Sequence, residues 1–422
     1  MQEGPSASRL SKLGRWEILS QLHRKLTFAA AGAGNPMDNL PPGLINRGRN
    51  LCFAISSLQC LFRTPEMAGL LQDWVQNSNL LMTANEEDFL WSYLKLHVEC
   101  VARNLQPSTQ DNFVRLCRVF MPQLMSSSSY TQEQQDAAEF VMTLLNVLHK
   151  ILNSRRPRTK AGQANGSASA EHNAENFQVS ISTLNKRCLD RILEVAYKGW
   201  QAYERANDSP IVHLFTGQTS DIHQCTSCLK TSIRTQEYNV LPITIELRDR
   251  RDSSGARNVL RLYDLLMSFT EAKRMDNRDD DDNESEIQMG PICNLAAHTS
   301  WLHRTMLSQT PSAVVLQLLR FQYDSSTGQS RKIRDPIKIP SANMCLPNGS
   351  GTWPQYKLYG IVAHIGTRST QDGHYIAYAE DQMYSKWYRF DDETVTHIVD
   401  IEEELSKPSL MENAYLLFYR KT

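Results

Sequence analysis

Residues 43–60 read Gly43-Leu-Ile-Asn-Arg-Gly-Arg-Asn-Leu-Cys52-Phe-Ala-Ile-Ser-Ser-Leu-Gln-Cys60. Leu51, Ile55, Leu58 and Phe62 recur at helical spacing and Pro65 stops the run, so a buried helix is expected to begin at the cysteine. Cys52 then falls in the first turn, with Asn50 as its expected N-cap. The unpaired amides and positive dipole end there favour thiolate over thiol and suit a developing oxyanion. A buried cysteine at such a place is also ordinary packing, the reading given to Cys60.

What gives Cys52 chemistry is a second region more than 300 residues away. Residues 373–379 (Gly-His-Tyr-Ile-Ala-Tyr-Ala) and 387–391 (Trp-Tyr-Arg-Phe-Asp) are rich in aromatic and β-branched types, and Glu380-Asp381-Gln382 begins the turn between them. A turn centred between Gln382 and Met383 sets Tyr375 opposite Phe390 and His374 opposite Asp391. A thiol, an imidazole to take its proton and a carboxylate to orient the imidazole make a cysteine-nucleophile site.

These segments resemble the ubiquitin-specific proteases, whose cysteine box usually reads Gly-Leu-x-Asn-x-Gly-Asn-Thr-Cys-Tyr/Phe-Met-Asn-Ser-x-Leu-Gln. Gly360-Ile-Val-Ala-His364-Ile-Gly366, Gly373-His374-Tyr375, Trp387-Tyr388, Phe390-Asp391-Asp392 and Ala414-Tyr-Leu-Leu-Phe-Tyr419 are similar to that family's histidine box. Gln134-Gln135-Asp136-Ala-Ala-Glu139-Phe140, Leu214-Phe215-x-Gly217 with Cys225-x-x-Cys228, and Leu316-Gln-Leu-Leu-Arg320-Phe321 match further family segments in order. The resemblance implies an α+β, papain-like cysteine peptidase with a helical thumb, a β-sheet palm and strand-rich fingers. It implies Cys52 as nucleophile, His374 as base and Asp391 as its orienting acid. Asn46, Asn50 and Asp392 are the expected oxyanion or auxiliary groups, and Gln135, Asp136, Gly373 and Tyr375 the expected walls of a channel for the substrate tail.

Departures from the family pattern bear on rate and metal. The family's oxyanion asparagine lies five residues before the nucleophile, where this chain has Arg47; one residue is inserted between Gly48 and Leu51, leaving Asn46 six before Cys52. A misplaced oxyanion donor costs about 3 kcal/mol in transition-state stabilisation. Ile55 stands where the family has a further asparagine. The second finger pair reads Cys293-Asn-Leu-Ala296, so a zinc site would need Cys225, Cys228 and Cys293 with His298 as fourth ligand. The expectation is a degenerate finger without metal, and catalysis requires no cofactor.

Composition bounds the remainder. A chain of 422 residues exceeds one ordinary core, and residues 42–422 are expected to form the catalytic domain after a partly disordered extension over 1–41. Within the extension, Trp16–Leu26 reads as helix and Ala29–Pro36 as a flexible lead-in. Insertions too poor in apolar residues to pack are expected near 154–176 and 273–290, the latter holding the acidic run Asp279–Glu284. Phe89–Val98 reads as an amphipathic helix, and Tyr238–Leu247 and Ala313–Leu319 as strands. A formal net charge of −1 gives no ground for nucleic-acid binding, and no apolar run reaches membrane-spanning length. Nine cysteines without a small-domain framework, and no secretion-signal pattern at the N-terminus, point to a reducing compartment, cytoplasm or nucleus.

The implied activity is thiol-dependent hydrolysis of the isopeptide or peptide bond after the terminal glycine of ubiquitin on protein conjugates, with ubiquitin and ubiquitinated proteins as partners. Two alternatives stay open at this level: a weakly active or inactive ubiquitin-binding scaffold, and a protease for a ubiquitin-like modifier. No His-Glu-x-x-His cluster supports a metal-dependent hydrolase.

Overall fold

A computed structural model of the chain describes residues 40–47, 49–65, 67–78, 80–125, 134–156, 177–180, 186–245, 259–276, 300–324, 329–348, 353–366 and 373–422. Five helices come first: α1 (Cys52–Leu61), α2 (Met67–Asn77), α3 (Ala84–Val101), α4 (Pro107–Phe120) and α5 (Ala137–Leu152). Their starts follow local chemistry. Thr83 and Glu86 form a reciprocal capping box on α3, Pro107 opens α4, and Asp136 caps α5 through the amides of Ala138 and Glu139. Together they make the thumb, and every residue of α1 is buried at its centre.

The chain continues through β1 (Phe177–Ser180), α6 (Lys186–Ala206), α7 (Pro210–Phe215), β2 (Gly217–Cys225), β3 (Lys230–Tyr238), β4 (Leu241–Thr244), β5 (Leu260–Arg261), α8 (Leu262–Thr270), β6 (Lys273–Asp276) and β7 (Ser300–Gln309). β1, β3, β2, β7 and β6 form, in that order, the five-stranded antiparallel finger sheet. Two expectations change here. Residues 273–276, taken for part of an insertion, pair with β7 from Lys273 opposite His303 to Asp276 opposite Ser300. The single strand expected over Tyr238–Leu247 is two, because the chain leaves the finger sheet at Tyr238 and enters another sheet at Leu241.

Then come β8 (Ala313–Leu319), β9 (Phe321–Asp324), β10 (Gln329–Lys332), β11 (Ile337–Lys338), β12 (Met344–Cys345), β13 (Gln355–Ile365), β14 (His374–Asp381), β15 (Lys386–Asp391), β16 (Thr394–Ile398), α9 (Ile401–Leu405), α10 (Pro408–Met411) and β17 (Ala414–Lys421). The palm is a sheet of order β16-β15-β14-β13-β17-β8-β4, with β12 also on β13. Both faces are covered: Tyr359, Val362 and Phe418 join the thumb core, while Leu358, Ile361 and Leu417 join a second core beneath. That is why the central strands read as nearly unbroken apolar runs. α1 lies against the palm closely enough that a Cβ on Gly360 would meet Cys60 Sγ at 3.1 Å. Burial on this scale is worth about 1.5–3 kcal/mol per large side chain, and it anchors the cysteine helix to the histidine sheet.

The expected helix at Trp16–Leu26, the lead-in at Ala29–Pro36, the acidic run Asp279–Glu284 and most of 154–176 lie outside the described residues. Of the last segment, Ser154 is described and its amide bonds Asp208 O at 2.9 Å.

Candidate active site

The site assembles where the segment before α1 crosses the turn after β15. Leu44 N–H donates to Asp392 O at 3.0 Å, and a Cβ on Gly43 would lie 2.5 Å from the carbonyl oxygens of Asp392 and Glu393, so only glycine passes there. From the thumb side, the Gln110 amide grips both backbone groups of Ile45, at 2.8 and 2.7 Å. Cys52 then opens α1 with 3% of its surface exposed, close enough to His374 to be the largest influence on its protonation.

His374 Nε2 meets Asp391 Oδ1 at 2.7 Å, which leaves Nδ1 as the ring nitrogen for the thiol. The expected register is wrong by two residues: Ala377, not Tyr375, faces Phe390, because the turn spans residues 382–385 and is centred one residue later than expected. His374 and Asp391 are therefore diagonal neighbours. Side chains alternate faces with a period of two, so a slip of two keeps both on one face and within reach. Arg389, two residues before Asp391 and on the same face, donates to Asp391 Oδ2 at 2.7 Å. The acid is thus held from both sides. Only that i, i+2 spacing could have signalled Arg389 in the sequence.

The extra residue before Cys52 is taken up in a tight loop. Arg47 and Asn50 adopt left-handed backbone (φ 31° and 51°), and Arg49 N–H donates to Asn46 O at 2.8 Å. Asn46 braces that loop: its Oδ1 accepts from Leu51 N–H and its Nδ2 donates to Asp392 Oδ2, both at 2.9 Å. Asn50 is exposed and is not the N-cap; Leu51 is, and it offers no capping side chain. α1 consequently begins without a side chain capping its first-turn amides, at the positive end of the helix. Asp392 Oδ1 is buried without a hydrogen-bond partner among the described residues, and burial raises this carboxyl above its ordinary pKa.

Two expected channel residues are tied into the scaffold. Asp136 caps α5 and accepts a 2.6 Å bond from Tyr415 Oη, burial being the main cause of its raised pKa. Tyr375 is 1% exposed and packs on His364, because it points to the face opposite His374. Gln135 is half-buried and Gly373 exposed, the latter at φ 135° beside the base. In the fingers, Cys225 is buried and Cys228 half-buried; Cys293 and His298 lie outside the described residues. The described residues therefore hold two of the four candidate ligands, Cys225 and Cys228. His374, Asp391 and Asp392 also offer ligand atoms within 4.8 Å of one another. A cation fits poorly there, since the Arg389 guanidinium already occupies Asp391 Oδ2.

Electrostatics favour a charged base. Proximity to Cys52 is the largest cause raising His374, burial opposes it, and Asp391 adds to it, so that its pKa stands at about 9. The imidazolium is the resident form below that value and is lost as pH rises through it. Turnover of an amide substrate should therefore hold across the usual histidine range near 6.5 and fall on an alkaline limb near pH 9. A pH profile of kcat/KM checks this; an alkaline limb near 7 would contradict it.

Comparisons with known proteins agree with the geometry. The family model described as ubiquitin carboxyl-terminal hydrolase matches residues 42–419. The chain is 27% identical over 386 residues to Ubiquitin carboxyl-terminal hydrolase Usp2 of Drosophila melanogaster, covering 90% of this chain and 35% of that protein. It is 26% identical over 406 residues to Probable ubiquitin carboxyl-terminal hydrolase 4 of Schizosaccharomyces pombe, covering 90% and 59%. It thus spans between about one third and three fifths of the length of these curated relatives. Among solved structures, the SAGA DUB module of Ubp8, Sgf11, Sus1 and Sgf73 bound to ubiquitin aldehyde superposes with a TM-score of 0.58 at 22% identity, covering 98% of this chain and 76% of that one. With the family model spanning nearly the whole described catalytic body, thumb, palm and fingers included, the chain belongs to the ubiquitin carboxyl-terminal hydrolase family.

Proposed function

We propose that the chain is a thiol-dependent deubiquitinase that hydrolyses the isopeptide or peptide bond after the terminal glycine of ubiquitin on protein conjugates. The observation that carries this reading is the Cys52–His374–Asp391 array at the thumb–palm junction. Cys52 thiolate attacks the glycine carbonyl, and the oxyanion develops toward the first-turn amides of α1. The imidazolium of His374 protonates the departing lysine amine, and the neutral ring then takes a proton from the water that opens the thioester. Asp391 keeps the ring aligned through both steps.

Nucleophile, base and acid all come from the chain, so this chemistry needs no cofactor. The reading places ubiquitin and ubiquitinated proteins as partners, with the fingers free of a required metal. Free thiols at Cys52, Cys60, Cys100 and Cys117 suit a reducing compartment, cytoplasm or nucleus. No helix among the described residues is long and apolar enough to cross a membrane.

The test is covalent trapping. A ubiquitin carrying an electrophile in place of its terminal carboxyl should form one adduct, mapped by mass spectrometry to Cys52. Parallel probes built on ubiquitin-like modifiers distinguish the modifier, and an adduct with one of those alone would replace ubiquitin in this assignment. Failure of every probe on folded protein would leave the scaffold reading in its place.

A further inference from the structure

The catalytic base stands on the last rung of a ladder. Pairing between β13 and β14 runs from Gly360 opposite Ala379 to Ile365 opposite His374 and ends there. Terminal rungs open easily unless something beyond them is tied down. Here that tie is a buried ammonium. Lys332 Nζ donates to His364 O at 2.5 Å, Asn413 Oδ1 at 2.7 Å and Gly366 O at 3.1 Å, and lies 3.2 Å from His364 Nδ1. Arg334 adds a second donor to Gly366 O, at 3.1 Å.

The same lysine sets the floor under the residue before the base. Its ammonium also stands 3.2 Å from Nδ1 of the His364 ring, an approach that favours the neutral imidazole over a second positive charge. That ring is buried between Phe321 and Tyr375, at centroid distances of 5.1 and 4.7 Å. Gly373 rests on it: an added Cβ would stand 2.9 Å from His364 Cε1 and Nε2 and 2.4 Å from Ile365 O. We propose that Lys332 is a positioning residue for catalysis, fixing the end of β13 and the His364 ring so that Gly373 and His374 keep the geometry Cys52 needs.

The 6% exposure of Lys332 is consistent with this role, since no carboxylate pairs with it among the described residues and its partners are those that shape this one strand end. Burial pushes the ammonium down to about 8, so it is still mostly charged at neutral pH. Nothing in the sequence distinguishes it from any other lysine.

The inference rests on the cysteine-peptidase reading of the site and is tested partly without ubiquitin. Lys332→Met should lower kcat about 10- to 100-fold with KM little changed, and Lys332→Arg should restore most of it, since misplacement by an ångström is enough for such losses. Alkylation of Cys52 by iodoacetamide should slow in Lys332→Met, with its pH dependence displaced. Leu266→Ala, a cavity in the second core, provides a control of lowered stability that should leave kcat and alkylation per folded molecule unchanged. Unchanged kinetics and alkylation in folded Lys332→Met, or an equal fall in Leu266→Ala, overturn the proposal. Should Lys332→Met not fold, Asn413→Leu removes one acceptor, and the same two readouts decide. A chain inert to ubiquitin whose Cys52 alkylation still responds to Lys332→Met would defeat the deubiquitinase reading and leave this one standing.

Discussion

Cys52→Ala should reduce cleavage of a ubiquitin C-terminal amide to background, a fall of at least about 10⁴-fold, while ubiquitin binding is retained. The sulfur is the only atom in the array able to form the acyl bond, and the buried position accepts a methyl group with little change in packing. The substitution has a second consequence that tests the pair directly. The Cys52 side chain is the largest cause holding His374 near 9, so removing the thiol should let the imidazole fall toward its ordinary 6.5. An NMR titration of His374 reads that movement. Unchanged cleavage would remove Cys52 as nucleophile, and an unmoved titration would show that base and thiol are not coupled.

How far the sequence foretold this site depends on which physical rule governed each residue. Helical spacing located the cysteine helix through one apolar stripe, Leu51, Ile55, Leu58 and Phe62, while the burial of Ser56, Ser57 and Gln59 on its other faces carried no such signal. Strand alternation placed His374 and Asp391 on one face, and that survived an error of two in the register. Register itself was not legible: Gln382, Met383, Tyr384 and Ser385 carry no Asn-Gly or Gly-rich signature, and Ser385 takes its left-handed backbone (φ 52°) regardless. The thumb fixes the turn instead, through Gln382 Nε2 donating to Arg63 O and Arg103 pairing with Asp381 at 2.9 Å.

The oxyanion segment shows the opposite case. A one-residue insertion looks in sequence like a displaced asparagine, yet two left-handed residues absorb it and Asn46 stays against Asp392. Motif alone points Asp136 and Tyr375 to the tail channel, and no motif shows that Asp136 caps α5 and bonds Tyr415 or that strand parity buries Tyr375 on the face away from His374. Tertiary partners decided these positions, and residues distant in the chain leave no local pattern.

The largest stability effect is expected from another such residue. Arg320 follows the apolar strand β8 and has no exposed surface. Its guanidinium donates to four carbonyl oxygens: Ala414 at 2.6 Å, Met411 at 2.6 Å, and Ile333 and Asp335 at 3.1 Å each. It thereby gathers the end of β8, the connection after β10 and the turn into β17. Burial lowers its pKa to about 10, which leaves it charged at neutral pH. Arg320→Met fills similar space yet strips donors from four carbonyls, a loss of about 3–5 kcal/mol once partial relaxation is allowed for. Lysine should not rescue it, because one compact ammonium cannot reproduce the planar fork. The expected reading is a Tm lowered by roughly 3–6 °C in both variants. Because Asn413 O accepts from His364 N–H at 2.9 Å and Asn413 adjoins Ala414, the loosening should extend to the strand that supports the base, seen as faster hydrogen exchange at His364 than at Phe53 in α1. A methionine variant that melts within a degree or two of the native chain would mean that these carbonyls find water or other donors, and that Arg320 is not what closes the palm.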